Sequence, residues 1–276
     1  MSATHPSANA AKHGLPLAGA SGQPLARGET VLSCRDLRRD FGGFTAVKDV
    51  DLDVRHAEVH ALIGPNGAGK TTVFNLLTKF LQPTAGTITL LGEDVTKTPP
   101  AAVARKGLVR SFQISATFPH LTILENVRVA LQRQNGLAVQ FWRSLSVLDR
   151  LDARAMELIE AVGLADVRHR PAASLSYGRK RVLEIATTLA LEPKVLLLDE
   201  PMAGMGHEDV EKVADIIREV AKSHAVLMVE HNLKVVADLC DRVTVLQRGE
   251  ILAAGDYRTV AADERVRTAY MGTDHA

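Results

Sequence analysis

The segment from Gly64 to Thr71 constrains this chain more than any other, because its residues, GPNGAGKT, match the pattern G-x-x-x-x-G-K-[ST]. A short apolar run at residues 59–63 precedes it, and a helical pattern of apolar residues follows. Glycines let the backbone come close to phosphate groups, and the N–H groups of the loop and of the helix N-terminus attract negative charge. The sequence therefore predicts a phosphate-binding loop between a buried strand and a helix.

Several residues of this loop have an expected partner on a nucleoside triphosphate. Lys70 supplies a positive charge to the β- and γ-phosphates, and the Thr71 hydroxyl is a ligand for Mg²⁺. Thr72 can reach a further phosphate oxygen. The residues expected to bind the nucleotide here are Gly64, Pro65, Asn66, Gly67, Ala68, Gly69, Lys70, Thr71 and Thr72.

Two carboxylates end a later apolar run. Asp199 and Glu200 follow directly after residues 195–198, Val-Leu-Leu-Leu. Since consecutive side chains of an extended chain point in different directions, the two acids are expected to have different roles. Asp199 would hold the Mg²⁺ shell, and Glu200 would orient or deprotonate the attacking water. Acidic residues often end buried strands, so this interpretation depends on the phosphate loop.

Composition limits the classes of protein that can carry this loop. The 276 residues have a net charge of +1 and are 46% hydrophobic, which is enough apolar material for a sizeable core. A dedicated nucleic-acid-binding protein is usually strongly basic, unlike this chain. The longest apolar stretches fall far short of the roughly 20 residues that cross a bilayer, and no signal-peptide core can be drawn in residues 1–28. Two cysteines without CxxC spacing favour a reducing compartment.

The apolar patterns predict two kinds of sheet. Residues 50–55 alternate apolar and charged side chains, as in an antiparallel sheet with one wet face. Runs without alternation, such as residues 59–63 and 225–229, are typical of strands covered on both faces, and helical patterns separate the later ones. A parallel α/β core is therefore expected, closed by a terminal hairpin that turns at Arg248-Gly249.

Helical patterns complete the predicted organisation. Val73, Leu76, Leu77 and Phe80 form one apolar stripe after the phosphate loop, and Pro83 is expected to stop that helix. The middle third is mostly helical, and Thr122 with Glu125 has the spacing of a capping box. We predict a disordered leader at 1–28 and a single domain at 29–276, comprising a core at 29–112 and 190–256, an inserted helical subdomain at about 113–189 and a short C-terminal tail at 257–276.

The order of the motifs resembles that of ABC-transporter ATPases from about residue 30 to residue 272. The phosphate loop comes first, then Gln113 after a strand, then the segment Leu-Ser-Tyr-Gly-Arg at 175–179, then the acid pair, and finally His231 after the next strand. The family signature is LSGGQ. This chain keeps its serine and second glycine and departs from it at Tyr177 and Arg179.

The resemblance implies a fold and several site residues. The fold class is α/β: a P-loop NTPase of the ABC ATPase type with a mixed β-sheet core, an antiparallel β subdomain and an inserted helical subdomain. Gln113 matches the glutamine that touches Mg²⁺ or the water, which gives a metal set of Thr71, Gln113 and Asp199. His231 matches the histidine that contacts the γ-phosphate, so the catalytic set is Glu200, His231, Lys70 and Gln113. Phe41 matches the aromatic ring that stacks on adenine, and Ser176 and Gly178 match residues that cap the ATP of the partner subunit.

One departure affects the loop after Glu200-Pro201. The family usually shows S-A-L-D there, whereas this chain has Ala-Gly-Met-Gly at 203–206. The carboxylate of that loop is missing, which puts coupling between subunits through that side chain in doubt.

Further stretches resemble the ATPases of importers of branched-chain amino acids and related small amides; they are Phe41-Gly42-Gly43, Val73-Phe74-Asn75, residues 109–113, residues 199–205 and Tyr270-Met271-Gly272. This resemblance implies ATP hydrolysis with Mg²⁺ to energise uptake. It also implies a second ATPase subunit in a homo- or heterodimer, two membrane-spanning permeases and, indirectly, an external solute-binding protein, with no nucleic acid. The expected location is cytoplasmic, peripheral on the inner face of the cell membrane.

Three alternatives stay open. An ATPase of a lipopolysaccharide exporter has a similar length and also ends shortly after the hairpin. A non-transport ABC ATPase of translation or DNA repair usually has two cassettes or a long coiled coil, and neither pattern is present here. An inactive binding module would require loss of Lys70 or Glu200, and both are present.

Overall fold

Two β-sheets and the helices around them make up the computed structural model, which describes residues 25–111, 117–134 and 151–271. The strands are β1 Thr30–Phe41, β2 Phe44–Arg55, β3 Val59–Ile63, β4 Ala85–Leu90, β5 Glu93–Asp94, β6 Leu108–Arg110, β7 Val195–Asp199, β8 Ala225–Val229, β9 Arg242–Gln247 and β10 Glu250–Gly255. The helices are α1 Lys70–Leu77, α2 Pro100–Arg105, α3 Ile123–Gln134, α4 Asp152–Ala161, α5 Tyr177–Leu189, α6 His207–Ala221, α7 Leu233–Leu239, α8 Tyr257–Ala262 and α9 Glu264–Met271.

The larger sheet has six strands in the order β10-β9-β3-β8-β7-β6. All neighbours in it are parallel except β9 and β10, which form the predicted antiparallel hairpin. The smaller sheet is antiparallel, with the order β2-β1-β4-β5. These two sheets and their helices confirm the predicted fold class.

The six-stranded sheet is covered on both faces, which explains why its central strands show no polar alternation. Leu196 and Leu198 of β7 face one hydrophobic cluster, to which α3–α7 also contribute. Val195 and Leu197 of the same strand face a second cluster, formed with β1, β2, β4 and α1. Alternate residues of one strand therefore belong to different cores, because side chains leave a strand on opposite faces in turn.

A buried histidine connects the two sheets. His60 of β3 is 1% exposed, and its Nδ1 lies 3.0 Å from the carbonyl oxygen of Asp53 in β2. Its Nε2 lies 2.8 Å from Oγ1 of Thr244 in β9. Because a carbonyl oxygen can only accept, Nδ1 must carry the proton, and the Thr244 hydroxyl donates to Nε2. Burial, reinforced by the nearby charge of Arg242, lowers the pKa of this imidazole to about 4.

The helical part between β6 and β7 begins with the predicted capping box. The Thr122 N–H donates to Oε2 of Glu125 at 2.7 Å, and the Glu125 N–H donates to Oγ1 of Thr122 at 3.2 Å. The buried amide of Asn126 then fixes the preceding loop, since it accepts from the Phe118 N–H and donates to the carbonyl oxygen of Leu121. The helical subdomain boundaries at 113 and 190 stay a prediction.

Helix α1 ends earlier than its apolar stripe predicts. It stops at Leu77, because the Thr78 hydroxyl donates to the Phe74 carbonyl oxygen at 2.7 Å and Lys79 adopts a left-handed backbone with φ of 66°. Phe80, expected to lie in the buried stripe, is 55% exposed. The helix therefore ends at its own C-cap, several residues before Pro83, where the sequence pattern predicted the end.

The folded chain also starts before residue 29. Within residues 25–28, which we assigned to the leader, the Gly28 N–H donates to the His56 carbonyl oxygen at 2.9 Å, and Arg27 forms an ion pair with Asp241 at 3.1 Å. The rest of the predicted leader lies outside the described residues. Among the residues that are described, no helix combines the length and the apolar composition needed to cross a lipid bilayer.

Candidate nucleotide site

The phosphate loop joins the end of β3 to the start of α1, as predicted. Gly69 is the N-cap of α1 with φ of +103°, and a Cβ built on it would lie 2.7 Å from the Ala46 carbonyl oxygen. A Cβ on Gly64 would lie 2.1 Å from the Leu246 carbonyl oxygen. The loop therefore requires glycine at these two positions because it packs directly on the backbone of β2 and β9.

The turn of the β9–β10 hairpin forms a backbone hydrogen bond with the same loop. The Gly249 N–H donates to the carbonyl oxygen of Ala68 at 2.9 Å, and the Lys48 N–H of β2 donates to the Gly249 carbonyl oxygen at 2.8 Å. The phosphate loop is thus tied through one turn to the antiparallel sheet. Sequence patterns predicted the hairpin but gave no reason to place its turn under the loop.

Lys70 lies at the mouth of the loop. Its Nζ donates to the carbonyl oxygens of Gly64 at 2.6 Å and Pro65 at 2.9 Å, which leaves its third N–H for another acceptor. Burial lowers the pKa of this ammonium group, and the carboxylates of Glu200 and Asp199 oppose that effect. The predicted lysine therefore lies close enough to both predicted acids for their negative charges to act on its pKa.

Asp199 is buried at the end of β7 and is held by an arginine that sequence reasoning missed. Nη2 of Arg110, at the end of β6, lies 2.5 Å from Oδ2 of Asp199. Nη1 of the same guanidinium donates to Oδ1 of Asn75 in α1 at 2.7 Å. Arg110 so connects the predicted metal ligand to the helix that begins at Lys70. A basic residue at the end of a predicted strand is the signal for it, but the pattern does not identify its partners.

Glu200 and His231 meet at the carboxyl edge of the parallel strands. Oε1 of Glu200 lies 2.9 Å from Nε2 of His231, and the Glu200 N–H donates to the Val229 carbonyl oxygen at 2.9 Å. The two residues follow β7 and β8, and because these strands are parallel neighbours, the residues after them lie side by side. The side chains of these two predicted residues are therefore in contact.

The segment from Ser176 starts helix α5. Ser176 is the N-cap, and its Oγ accepts from the Arg179 N–H at 3.4 Å. A Cβ on Gly178 would lie 2.4 Å from Oδ2 of Asp209 in α6, so a larger residue at this position would have to displace that carboxylate. The departing residue Tyr177 is exposed beside Gly204 of the loop that follows Glu200.

The remaining predicted residues lie at the edges of the site. Phe41 is 42% exposed at the end of β1, and the Arg39 guanidinium carbon lies 4.5 Å from its ring centroid. Thr71 and Thr72 are the second and third residues of α1. Gln113 lies outside the described residues.

The oxygen donors present suit Mg²⁺. Mg²⁺ is usually held by one or two protein oxygens together with substrate phosphates, and it keeps several waters. In the part of the chain that the structure describes, no group of three His, Cys, Asp or Glu residues could hold a metal ion alone. The Thr71 hydroxyl lies at the end of the phosphate loop, and the Asp199 carboxylate lies at the end of β7. Both are hard oxygen donors. This donor set fits a cation that shares its ligands with a nucleotide.

A phosphate loop on a central strand, with acids and a histidine at the carboxyl edge of the neighbouring parallel strands, defines a P-loop nucleoside triphosphatase. The chain belongs to the ABC transporter family, whose model matches residues 47–203. It is therefore an ATP-binding subunit and an ATP hydrolase by family, as predicted.

Relatives cover most of the chain. It is 39% identical over 254 residues to the high-affinity branched-chain amino acid transport ATP-binding protein LivG of Salmonella typhimurium, covering 88% of this chain and 98% of that protein. It is 33% identical over 244 residues to the lipopolysaccharide export system ATP-binding protein LptB of Haemophilus influenzae, with the same coverage. The crystal structure of the ADP conformation of MJ1267, an ATP-binding cassette of an ABC transporter, matches with a TM-score of 0.77 and 27% identity over 88% of this chain and 99% of that one.

Proposed function

We propose that this chain is the ATP-hydrolysing subunit of an importer for branched-chain amino acids or related small amides. The observation that supports ATP hydrolysis is the contact between Glu200 and His231 at 2.9 Å, where the Glu200 charge also acts on Lys70. The identity of 39% to a branched-chain amino acid transport ATP-binding protein supports the solute class.

The residues of the site then have distinct tasks. The loop from Gly64 to Thr72 binds the phosphates of ATP, and the ring of Phe41 stacks on adenine, an interaction that uses the π-face. Lys70 neutralises charge on the γ-phosphoryl group with its third N–H, since the other two donate to carbonyl oxygens of the loop. Mg²⁺, when bound by Thr71, Asp199 and Gln113, supplies further charge neutralisation at the phosphates.

Water activation belongs to the pair at the strand ends. The Glu200 carboxylate accepts a proton from the attacking water or orients it, and the His231 imidazole holds that carboxylate in place and contacts the γ-phosphate. Ser176 and Gly178 serve the ATP bound by a second subunit. The N-cap position of Ser176 suits this role, because the N-terminus of α5 carries a favourable partial charge for a phosphate.

The proposed assembly contains two ATPase subunits and two permeases, with an external solute-binding protein acting on the permeases. ATP favours the closed pair of subunits, and hydrolysis returns the pair to the open state, so that the permeases alternate between their two faces. The permeases would hold this chain at the inner face of the cell membrane.

Two variants test the hydrolytic roles. Glu200→Gln should still bind Mg-ATP but release phosphate at least about tenfold more slowly, since a general base contributes roughly 10²- to 10⁴-fold to the rate. Glu192→Gln is the matched control, because Glu192 is also a glutamate with positive φ, at the opposite end of β7. Lys70→Ala should lose ATP affinity in calorimetry. Unchanged turnover of the Glu200 variant or normal ATP binding by the Lys70 variant would contradict these roles.

The relative at 33% identity favours a second candidate, lipopolysaccharide export. The two candidates separate when the chain is reconstituted in ATP-loaded vesicles with the second ATPase subunit, the permeases and the solute-binding protein encoded beside it. Uptake of radiolabelled leucine that requires both ATP and Glu200 would support import. ATP hydrolysis without uptake of any branched-chain amino acid or small amide would exclude the proposed solute class.

A further inference from the structure

We infer that Glu230, to which the sequence motifs assign no role, is a positioning residue that holds Glu200 and His231 together. The inference rests on the proposed roles of those two residues. It concerns the polypeptide around them and adds no group that touches ATP.

Glu230 directly precedes His231 and is buried, with 4% exposure. Its Oε1 accepts a hydrogen bond from the Met202 N–H at 3.0 Å. Its Oε2 accepts from the N–H groups of His231 at 3.0 Å and Asn232 at 3.4 Å. One carboxylate therefore joins the loop after β7, which carries Glu200, to the loop after β8, which carries His231.

Only a carboxylate can make this connection with both of its ends. Ionised Glu accepts hydrogen bonds at two oxygens, whereas Gln accepts at one and presents two N–H donors at the other. An amide at position 230 would satisfy one loop and direct a donor at an N–H of the other. The two loops would then no longer share a fixed anchor.

The backbone of Glu200 explains why such an anchor matters. Its φ is +45°, in the left-handed region, which costs about 1–2 kcal/mol for a residue with a Cβ. Such a conformation persists only where its surroundings hold it. The Glu230 carboxylate binds the chain two residues after Glu200, and the Arg181 guanidinium donates to the carbonyl oxygens on either side, Asp199 at 2.8 Å and Pro201 at 3.2 Å.

The test uses the full chain with Mg-ATP. Glu230→Gln should lower kcat by about 10- to 100-fold, because displacement of a catalytic group by about 1 Å costs that much. KM for ATP should change by less than about twofold, since the contacts of Glu230 involve none of residues 64–72.

Asp241→Asn is the matched control. Oδ2 of Asp241 accepts the Val59 N–H at 2.9 Å, so it too is a carboxylate bound to a backbone N–H, but it lies at the amino end of the parallel strands. This variant should keep kcat. A folded Glu230→Gln variant with kcat within about twofold of the parent would overturn the inference, and so would equal losses in kcat for both variants.

A second measurement separates positioning from a general loss of stability. In single-turnover experiments with excess protein, Glu230→Gln should lower the rate far less in a His231→Ala background than in the parent, because contacting residues that act together are not additive. Equal losses in both backgrounds would refute the positioning role. If Glu230→Gln does not fold, Glu230→Asp replaces it, and a parental kcat for this shorter carboxylate would refute the inference.

Normal turnover of Glu200→Gln refutes the role proposed for Glu200. Impaired turnover of Glu200→Gln with normal turnover of Glu230→Gln refutes only the positioning role.

Discussion

Acid should lower the free energy of unfolding through His60, the buried histidine that connects the two sheets. In the native protein this imidazole is neutral, because burial lowers its pKa to about 4, whereas the unfolded chain protonates it with a pKa near 6.5. Between these two pH values the unfolded state binds one more proton than the native state. The free energy of unfolding therefore rises with pH in this window, and its contribution from His60 is lost as the pH falls from 6.5 towards 4.

The size of the effect follows from the two pKa values. A difference of about 2.5 pKa units corresponds to about 3 kcal/mol when fully developed, at 1.36 kcal/mol per unit. Between pH 7 and pH 4.5 the loss is about 2 kcal/mol, because the native histidine has begun to bind its proton at the lower pH. This is a large part of the stability of a typical domain.

Urea denaturation at pH 7 and pH 4.5 measures this loss. His60→Gln removes the titration, so the variant should lose about 2 kcal/mol less than the parent between the two pH values. His169→Gln, which replaces an exposed histidine, should lose as much as the parent. Equal losses in the parent and in His60→Gln would show that burial of His60 does not exclude the proton.

Gly69→Ala should lower the free energy of unfolding by about 2 kcal/mol, because residue 69 has a positive φ and its Cβ would lie 2.7 Å from a backbone oxygen. Gly255→Ala is the control, since its Cβ would meet no atom closer than 3.7 Å. Equal urea midpoints for the two variants would contradict the packing argument. Burial raises the pKa of the Cys34 and Cys240 thiols to about 12, so an aromatic disulfide reagent at pH 8 should react with neither in the native protein and with both in urea. Rapid reaction of a native thiol would disprove this.

The parts of the fold that could be predicted are those set by neighbouring residues. The phosphate loop, the capping box of Thr122 and Glu125, and the hairpin turn at residues 248–249 each depend on a few adjacent side chains, and the structure shows all three. The apolar run that ends in two acids predicted Glu200, the order of motifs added His231 through resemblance, and the strand order brings these two into contact.

The contacts between distant segments could not be predicted. Arg110 is 89 residues from Asp199, and Glu230 is 28 residues from Met202. These pairs depend on which parallel strands become neighbours, and no periodicity within a strand specifies that. The reason for Gly64 was likewise incomplete: closeness to phosphate predicted it, but the carbonyl oxygen of Leu246, far along the chain, also excludes any Cβ there.

The left-handed backbone of Glu200 sets stability against activity at a single position. Glycine would relieve the backbone cost of about 1–2 kcal/mol, and asparagine tolerates this conformation better than glutamate does. A library selected only for thermal tolerance should therefore enrich glycine or asparagine at position 200 and yield robust proteins that cannot activate water. Melting temperature alone would be a misleading guide to improved variants of this ATPase, and selection should include turnover from the first round.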